Sequence, residues 1–191
     1  MNKFFQATLL SMLVTLASGL AQADDYDDAI EVFRKAGESG AFFDNSYGYA
    51  IFPTIGKGGI GIGGAHGKGK VYQQGSPIGT SKMTQLTIGL QLGGQAYSQI
   101  IFFENEDALK NFTSGNFEFG AQATAVAITA GVSAEANTGG GTSAGASGGK
   151  NDATTTSRGY RKGMAIFTVA KGGLMYEASL GGQKYSYTAS E

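Results

Sequence analysis

Between residues 58 and 72 the chain alternates with a period of two, and one side of the alternation is nearly bare. The odd positions are Gly59, Gly61, Gly63, Ala65, Gly67, Gly69 and Val71. The even positions run from Ile60 and Ile62 to His66, Lys68, Lys70 and Tyr72. Alternate residues of a strand share a face. This spacing therefore predicts a strand with one glycine face, against which another element can pack closely or about which the strand can bend. Its other face grades from apolar to basic. Tyr47 to Phe52 reads as a separate strand stopped by Pro53, and Gln74 to Ser81 as a turn holding Pro77 and Gly79.

Further strands follow. Residues 84–94 alternate, with Leu86, Ile88, Leu90 and Leu92 one way and Gln85, Thr87 and Gln91 the other, which predicts a half-buried strand. Ala96 to Phe103 predicts a more fully buried one. Asn105 then stands as the cap of a short helix over 106–112. Residues 117–134 alternate weakly and read as a long strand, though their alanine content leaves a helix open. The last strands are expected at 163–170, 173–181 and 183–188, turning at Lys171-Gly172-Gly173 and Gly181-Gly182. Helical spacing appears at Tyr26, Ala29, Ile30, Phe33 and Ala36, with Asp24 or Asp25 as cap and Gly37 and Gly40 as terminators. This helix packs on the domain through Ile30 and Phe33. A membrane-surface helix would want Lys and Arg on its polar face, and this one carries mainly Asp and Glu. The fold class is α+β: mostly antiparallel sheet, with a barrel-like closure as one form it can take, and two or three packed helices.

The chain also repeats itself. Gly48-Tyr49-Ala50-Ile51-Phe52 runs into Lys57-Gly58-Gly59-Ile60, and Gly163-Met164-Ala165-Ile166-Phe167 runs into Lys171-Gly172-Gly173-Leu174. From Lys57 and Lys171 the copies align without gaps to Lys70 and Lys184. A pattern used at both ends of one domain is architectural.

Composition sharpens this picture. Residues 1–23 have the features of a cleaved secretory signal: Lys3, an apolar run from Ala7 to Leu20, and Ala21-Gln22-Ala23. A periplasmic location is the expectation that follows. Residues 24–44 form an acidic N-terminal helical segment with seven carboxylates against Arg34 and Lys35. Residues 45–191 form the main domain, with 11 basic and 8 acidic side chains. Such a balance is no footprint of a nucleic-acid binder. Residues 137–157 are low-complexity Gly, Ser, Thr and Ala and read as a mobile loop. There is no Cys, and His66 is the lone His, which removes thiol chemistry and leaves little for a metal; no metal or cofactor is expected.

Strings that resemble catalytic motifs lack the right context. Gly56-x-Gly58-x-x-Gly61 and Gly59-x-Gly61-x-x-Gly64 match a dinucleotide fingerprint, but that fingerprint needs a helix directly after it. Gly145-x-Ser147-x-Gly149 lies in the low-complexity loop, where no strand-to-helix elbow is expected. Glu104, Glu106 and Asp107 suit a helix N-terminus. No enzyme is expected.

The ordered set Ala50-Ile51-Phe52-Pro53, Lys57-Gly58-Gly59, His66-Gly67, Gly89-Leu90-Gln91-Leu92-Gly93-Gly94-Gln95, Ile101-Phe102-Phe103, Gly120-Ala121 and Lys171-Gly172-Gly173-Leu174 with Gly181 resembles the SYLF domain family. The likeness runs from about residue 44 to 188. It implies an antiparallel β-rich domain with packed helices that binds membrane lipid, as a lipid-binding and actin-regulator module. The candidate lipid-binding residues are cations on or beside the two repeat copies: Lys57, His66, Lys68 and Lys70 in the first, Lys171 and Lys184 in the second, with Arg158, Arg161 and Lys162 just before it. If the copies lie side by side, these cations converge on one surface suited to anionic phospholipid or a membrane surface. Ordinary solvated charge at strand ends is the competing account. A structural or protein-interaction module of the envelope is the alternative function.

Overall fold

A computed structural model describes residues 25–89, 94–120, 125–128, 159–171 and 180–191. The expected leader, Asp24 as a cap, Arg158 and the loop at 137–157 lie outside these residues. The strands are β1 (Gly48–Gln73), β2 (Ser76–Gly89), β3 (Gly94–Phe103), β4 (Phe117–Glu118), β5 (Val126–Ile128), β6 (Met164–Lys171) and β7 (Gln183–Ala189). They form one sheet in the order β4-β7-β2-β1-β3-β6-β5. All described pairings are antiparallel except β5 with β6. Helix α1 spans 25–35, followed by the one-turn helices α2 (Gly37–Gly40) and α3 (Phe42–Asn45), and later α4 (Glu106–Phe112). The architecture is α+β, as the sequence predicts.

The organising element is β1, 26 residues long. The sequence predicts two strands here; the structure joins them. Pro53 lacks an N–H for the ladder, and the register with β3 shifts between Phe52 and Ile55, so the proline is passed in a bulge. Ser98 Oγ donates to the Pro53 carbonyl at 2.6 Å. The first half of β1 then pairs with β3 and the second half with β2.

The bare glycine face is where these halves meet. A Cβ built on Gly67 would lie 2.6 Å from Ile55 Cγ1, and one on Gly69 would lie 2.7 Å from the Ile51 carbonyl oxygen. Only a missing side chain permits this approach, and it curls the sheet. Curling brings β3 to β7 across the interior, where Gln99 donates to the Tyr185 hydroxyl at 2.7 Å and to Gln183 at 3.2 Å. Gln183 in turn donates to the Tyr97 hydroxyl at 3.2 Å. Around this polar centre pack Phe52, Ile55, Met83, Ile101, Phe112, Ile166 and Tyr185.

A second core lies on the outside of the β1–β3–β6 wall. There Ile51, Ile100, Phe102, Ala165 and Phe167 are covered by Tyr26, Ala29 and Phe33 of α1, with Phe42 and Phe43 of α3. Hence β3 is buried on both faces. The apolar face expected of α1 is the one used. Helix α1 stops at residue 35, and Gly37 opens α2, which is held by Ser39 Oγ donating to the Phe33 carbonyl.

Three further expectations are corrected. The turn after β1 is confined to Gln74 and Gly75, both at positive φ (49° and 82°), so Pro77 lies within β2. That is the mirror-image turn matched to strand twist. Where a long strand is expected over 117–134, the described residues hold two short ones, β4 on β7 at one sheet edge and β5 on β6 at the other; 121–124 and 129–134 lie outside the described residues. On β2 the buried side is the polar one at its far end: Gln85 points inward and donates to the Gly181 carbonyl at 2.8 Å, while Leu86 is 73% exposed.

Helix α4 begins as the sequence indicates. Asn105 Oδ1 accepts from the Ala108 N–H at 3.0 Å, and Lys110 pairs with Glu106 one turn away. Asn105→Ala is expected to lower the unfolding free energy by about 1 kcal/mol, read as a shift of the urea midpoint with an unchanged slope.

Candidate cationic face

Among the described residues, no element covers the outer side of β1, β2 and β7 below α1. Residues opposite one another in register share a face, so the side chains there form three rows. The first is His66, Thr84, Lys184 and Glu118, one from each of β1, β2, β7 and β4. The second is Lys68, Lys82 and Ser186. The third is Lys70, Thr80 and Thr188. Their alternates, Gly67, Gly69, Met83, Ser81 and Tyr185, are buried. A shallow groove of about 350 Å³ lies along the first two rows, lined by His66, Lys82, Thr84, Lys184 and Ser186 together with Asn116, Phe117 and Glu118.

Charge is unevenly compensated here. Lys184 Nζ lies 3.6 Å from a Glu118 carboxylate oxygen, both well exposed, a pairing of little energetic weight. In the second row Lys68 stands directly opposite Lys82, with Ser186 next. Like charges directly opposite on adjacent strands are destabilising.

The upper border of the face is α1. Lys70 Nζ sits 4.4 Å above the Tyr26 ring, a cation–π contact. Tyr72 stacks on Tyr49 with centroids 4.8 Å apart. Burial, with Tyr72 nearby, pushes the Tyr49 hydroxyl up to about 12. The Tyr72 hydroxyl is raised by burial and then by Asp27 of α1, so the acids of the helix flank the lysine rows at this end.

The structure gathers four of the expected cations, His66, Lys68, Lys70 and Lys184. It does not gather the rest. The repeat copies do not pair: β3 lies between the first half of β1 and β6, and β2 lies between the second half and β7. The reason is the two partners of β1, which place its halves on walls facing each other across the core. Lys171 projects outward from β6 on the other wall, where its Nζ donates to Thr54 Oγ1 at 2.8 Å. Lys57, opposite Gln95, is half-buried on the side that Ile55 shares with the core. Arg161 and Lys162 are exposed in the turn before β6, with Lys162 at φ 50°. Arg158 lies outside the described residues. The glycines of the dinucleotide-like strings lie in strand β1, with no helix after them.

Lys82 is the member that the sequence reading missed. The two-residue turn at Gln74-Gly75 would by itself set Ser81 opposite Lys68; the register shift between Val71 and Tyr72, with Val71 opposite Gly79, moves the pairing by one and brings Lys82 there.

Comparison with known proteins agrees with this architecture. The chain is 26% identical over 157 residues to Beta cell expansion factor A of Aeromonas veronii, covering 82% of this chain and 51% of that protein. It thus spans about half the length of the curated relative it matches. Residues 84–191, more than half of the chain, match the family model described as "Ysc84: Las17-binding protein actin regulator". With that match and the ordered glycine motifs that lead up to it, the chain belongs to the Ysc84 (SYLF) family.

Proposed function

We propose that this protein is a non-enzymatic, exported module that docks on anionic lipid through the outer face of β1, β2 and β7. The observation that carries this reading is the opposition of Lys68 and Lys82. Two strands in register gain nothing internally from facing lysines, whereas a phosphate-bearing surface in front of both is attracted by about 1 kcal/mol per lysine. Lys184 and Lys70 extend the same field, and His66, Thr84 and Ser186 supply hydrogen-bonding groups between the charges. Lys57, Lys171, Arg161 and Lys162 have no part in this revised face. The leader read at residues 1–23 supports a periplasmic location, at the surface of an envelope membrane.

The test is co-sedimentation with vesicles of phosphatidylcholine, with and without phosphatidylglycerol. Binding is expected only with the anionic lipid, and to fall with added salt. Lys68→Ala with Lys82→Ala is expected to weaken it about 30-fold, from about 1 kcal/mol per lysine. The same double variant is expected to fold as stably as the parent or slightly more so, because the repulsion is gone. Equal sedimentation with neutral and anionic vesicles would refute the reading.

A further inference from the structure

Among the described residues, two large apolar side chains are exposed: Val32 on α1 at 41% and Leu86 on β2 at 73%. Leu86 stands on the cationic face itself. It follows Thr84 by one outward step and Lys82 by two, or roughly 7 and 13 Å along the strand. Its cross-strand neighbour on β1 is Gly64. On the other side the β2–β7 register stops at Gln85 opposite Gln183, and the residue next to Gln183 is Gly182. Among the described residues, glycines on both flanks leave the leucine 73% exposed. The inward position beside it is taken by Gln85, bonded to the Gly181 carbonyl, so the strand cannot slip by one to bury Leu86 without burying charge on the other side. Along one direction of this face Lys82 and Thr84 therefore give way to an apolar side chain, Leu86.

Given the membrane reading above, on which this inference rests, we propose that Leu86 enters the apolar layer of an anionic bilayer. Lys82, Lys184 and Lys68 then stay at the headgroups, and the β1–β2 hairpin approaches the membrane with its Leu86 end first. The occupant follows from the area available. A single leucine on a lysine-bearing strand face is far short of the buried surface that a stable protein interface needs. For a bilayer, one inserted apolar side chain combined with several lysines is an effective pairing. The lysine stems reach back along the strand and keep their ammonium groups at the polar layer.

The chain contains no Trp, so Leu86→Trp introduces a sole tryptophan, which can be excited selectively over the tyrosines. With vesicles of phosphatidylcholine and phosphatidylglycerol, its emission is expected to shift to the blue and to be quenched by lipids brominated on the acyl chain. Thr188→Trp, on the Lys70 row at the far end of the same face, is expected to show neither change. Leu86→Ala, at an exposed site that the fold does not need, is expected to sediment about ten-fold more weakly than the unaltered chain. If the unaltered chain sediments but both tryptophans respond alike, or if Leu86→Ala binds undiminished, the insertion is overturned and the lysine-based docking stands. If the unaltered chain does not sediment with the anionic vesicles, the docking itself fails and the insertion with it.

Discussion

Gly69→Ala is expected to remove about 3 kcal/mol or more of stability, a large loss for adding one methyl group. The new Cβ would lie 2.6 Å from Phe52 Cε1 and 2.7 Å from the Ile51 carbonyl oxygen. Neither can yield cheaply. Phe52 is fully buried, with its ring 5.5 Å from that of Tyr185, and the carbonyl belongs to the backbone of the same strand. Relief would require the two halves of β1 to separate, which opens the curl that brings Gln99 to Gln183. Gly56→Ala supplies the contrast: nothing lies within 4 Å of a Cβ there. That variant is expected to lie within about 0.5 kcal/mol of the parent, or to gain slightly through a less flexible unfolded chain. Urea unfolding of the three proteins decides the matter. A Gly69→Ala midpoint equal to that of Gly56→Ala would show that the halves of β1 do not touch as described.

The same contact explains how much was legible beforehand. Alternating glycine announced a close approach, and the approach occurs; its partner, the first half of the same strand, was hidden because Pro53 looked like a stop. Helical spacing found α1, a run of apolar residues found β3, and the Asn105 cap found α4, since each is defined by its own residues; strand periodicity served less well. It misjudged β2 at Leu86. Apolar alternation normally marks the inside, but the interior of this curl contains a hydrogen-bonded polar centre, and Gln85 finds its partner at Gly181, 96 positions away. No local pattern carries that information. The candidate site was half legible for a related reason. Strand parity put His66, Lys68 and Lys70 together, and the register across β2 brings Lys184 to them. Lys171 looked equivalent to Lys57 by repetition, yet strand order separates the copies. Lys82 required both the turn and the register shift at Val71 to be placed to the residue, and no local pattern announces the shift.

The polar centre predicts an alkaline unfolding with an unusual mutant signature. Tyr185 is enclosed; its hydroxyl donates to Gln183 Oε1 and accepts from Gln99 Nε2 at 2.7 Å. Burial holds its ionisation well above the usual tyrosine value, and burial does the same to Tyr97. In the unfolded chain both ionise near pH 10. The stability tied to these raised values is therefore complete below about pH 10 and is lost as pH rises above it, because the unfolded state releases protons that the folded state retains. Each such group costs about 1.4 kcal/mol per pH unit, so the pair costs about 3. Tyr49 and Tyr160, pushed up to about 12 by burial, add a smaller share because water screens them. Against a total of about 5–15 kcal/mol, unfolding is expected at about pH 12. Tyr185→Phe should be less stable at pH 7 by about 1–3 kcal/mol, since Gln99 and Gln183 each lose a buried partner. Above pH 10, however, its stability should fall less steeply by about 1.4 kcal/mol per unit. The two stability curves are thus expected to cross near pH 11–12, with the variant the more resistant protein beyond that point. Urea titrations at pH 7, 9, 11 and 12 would reveal the crossing; parallel curves would mean that Tyr185 does not keep its proton inside the fold.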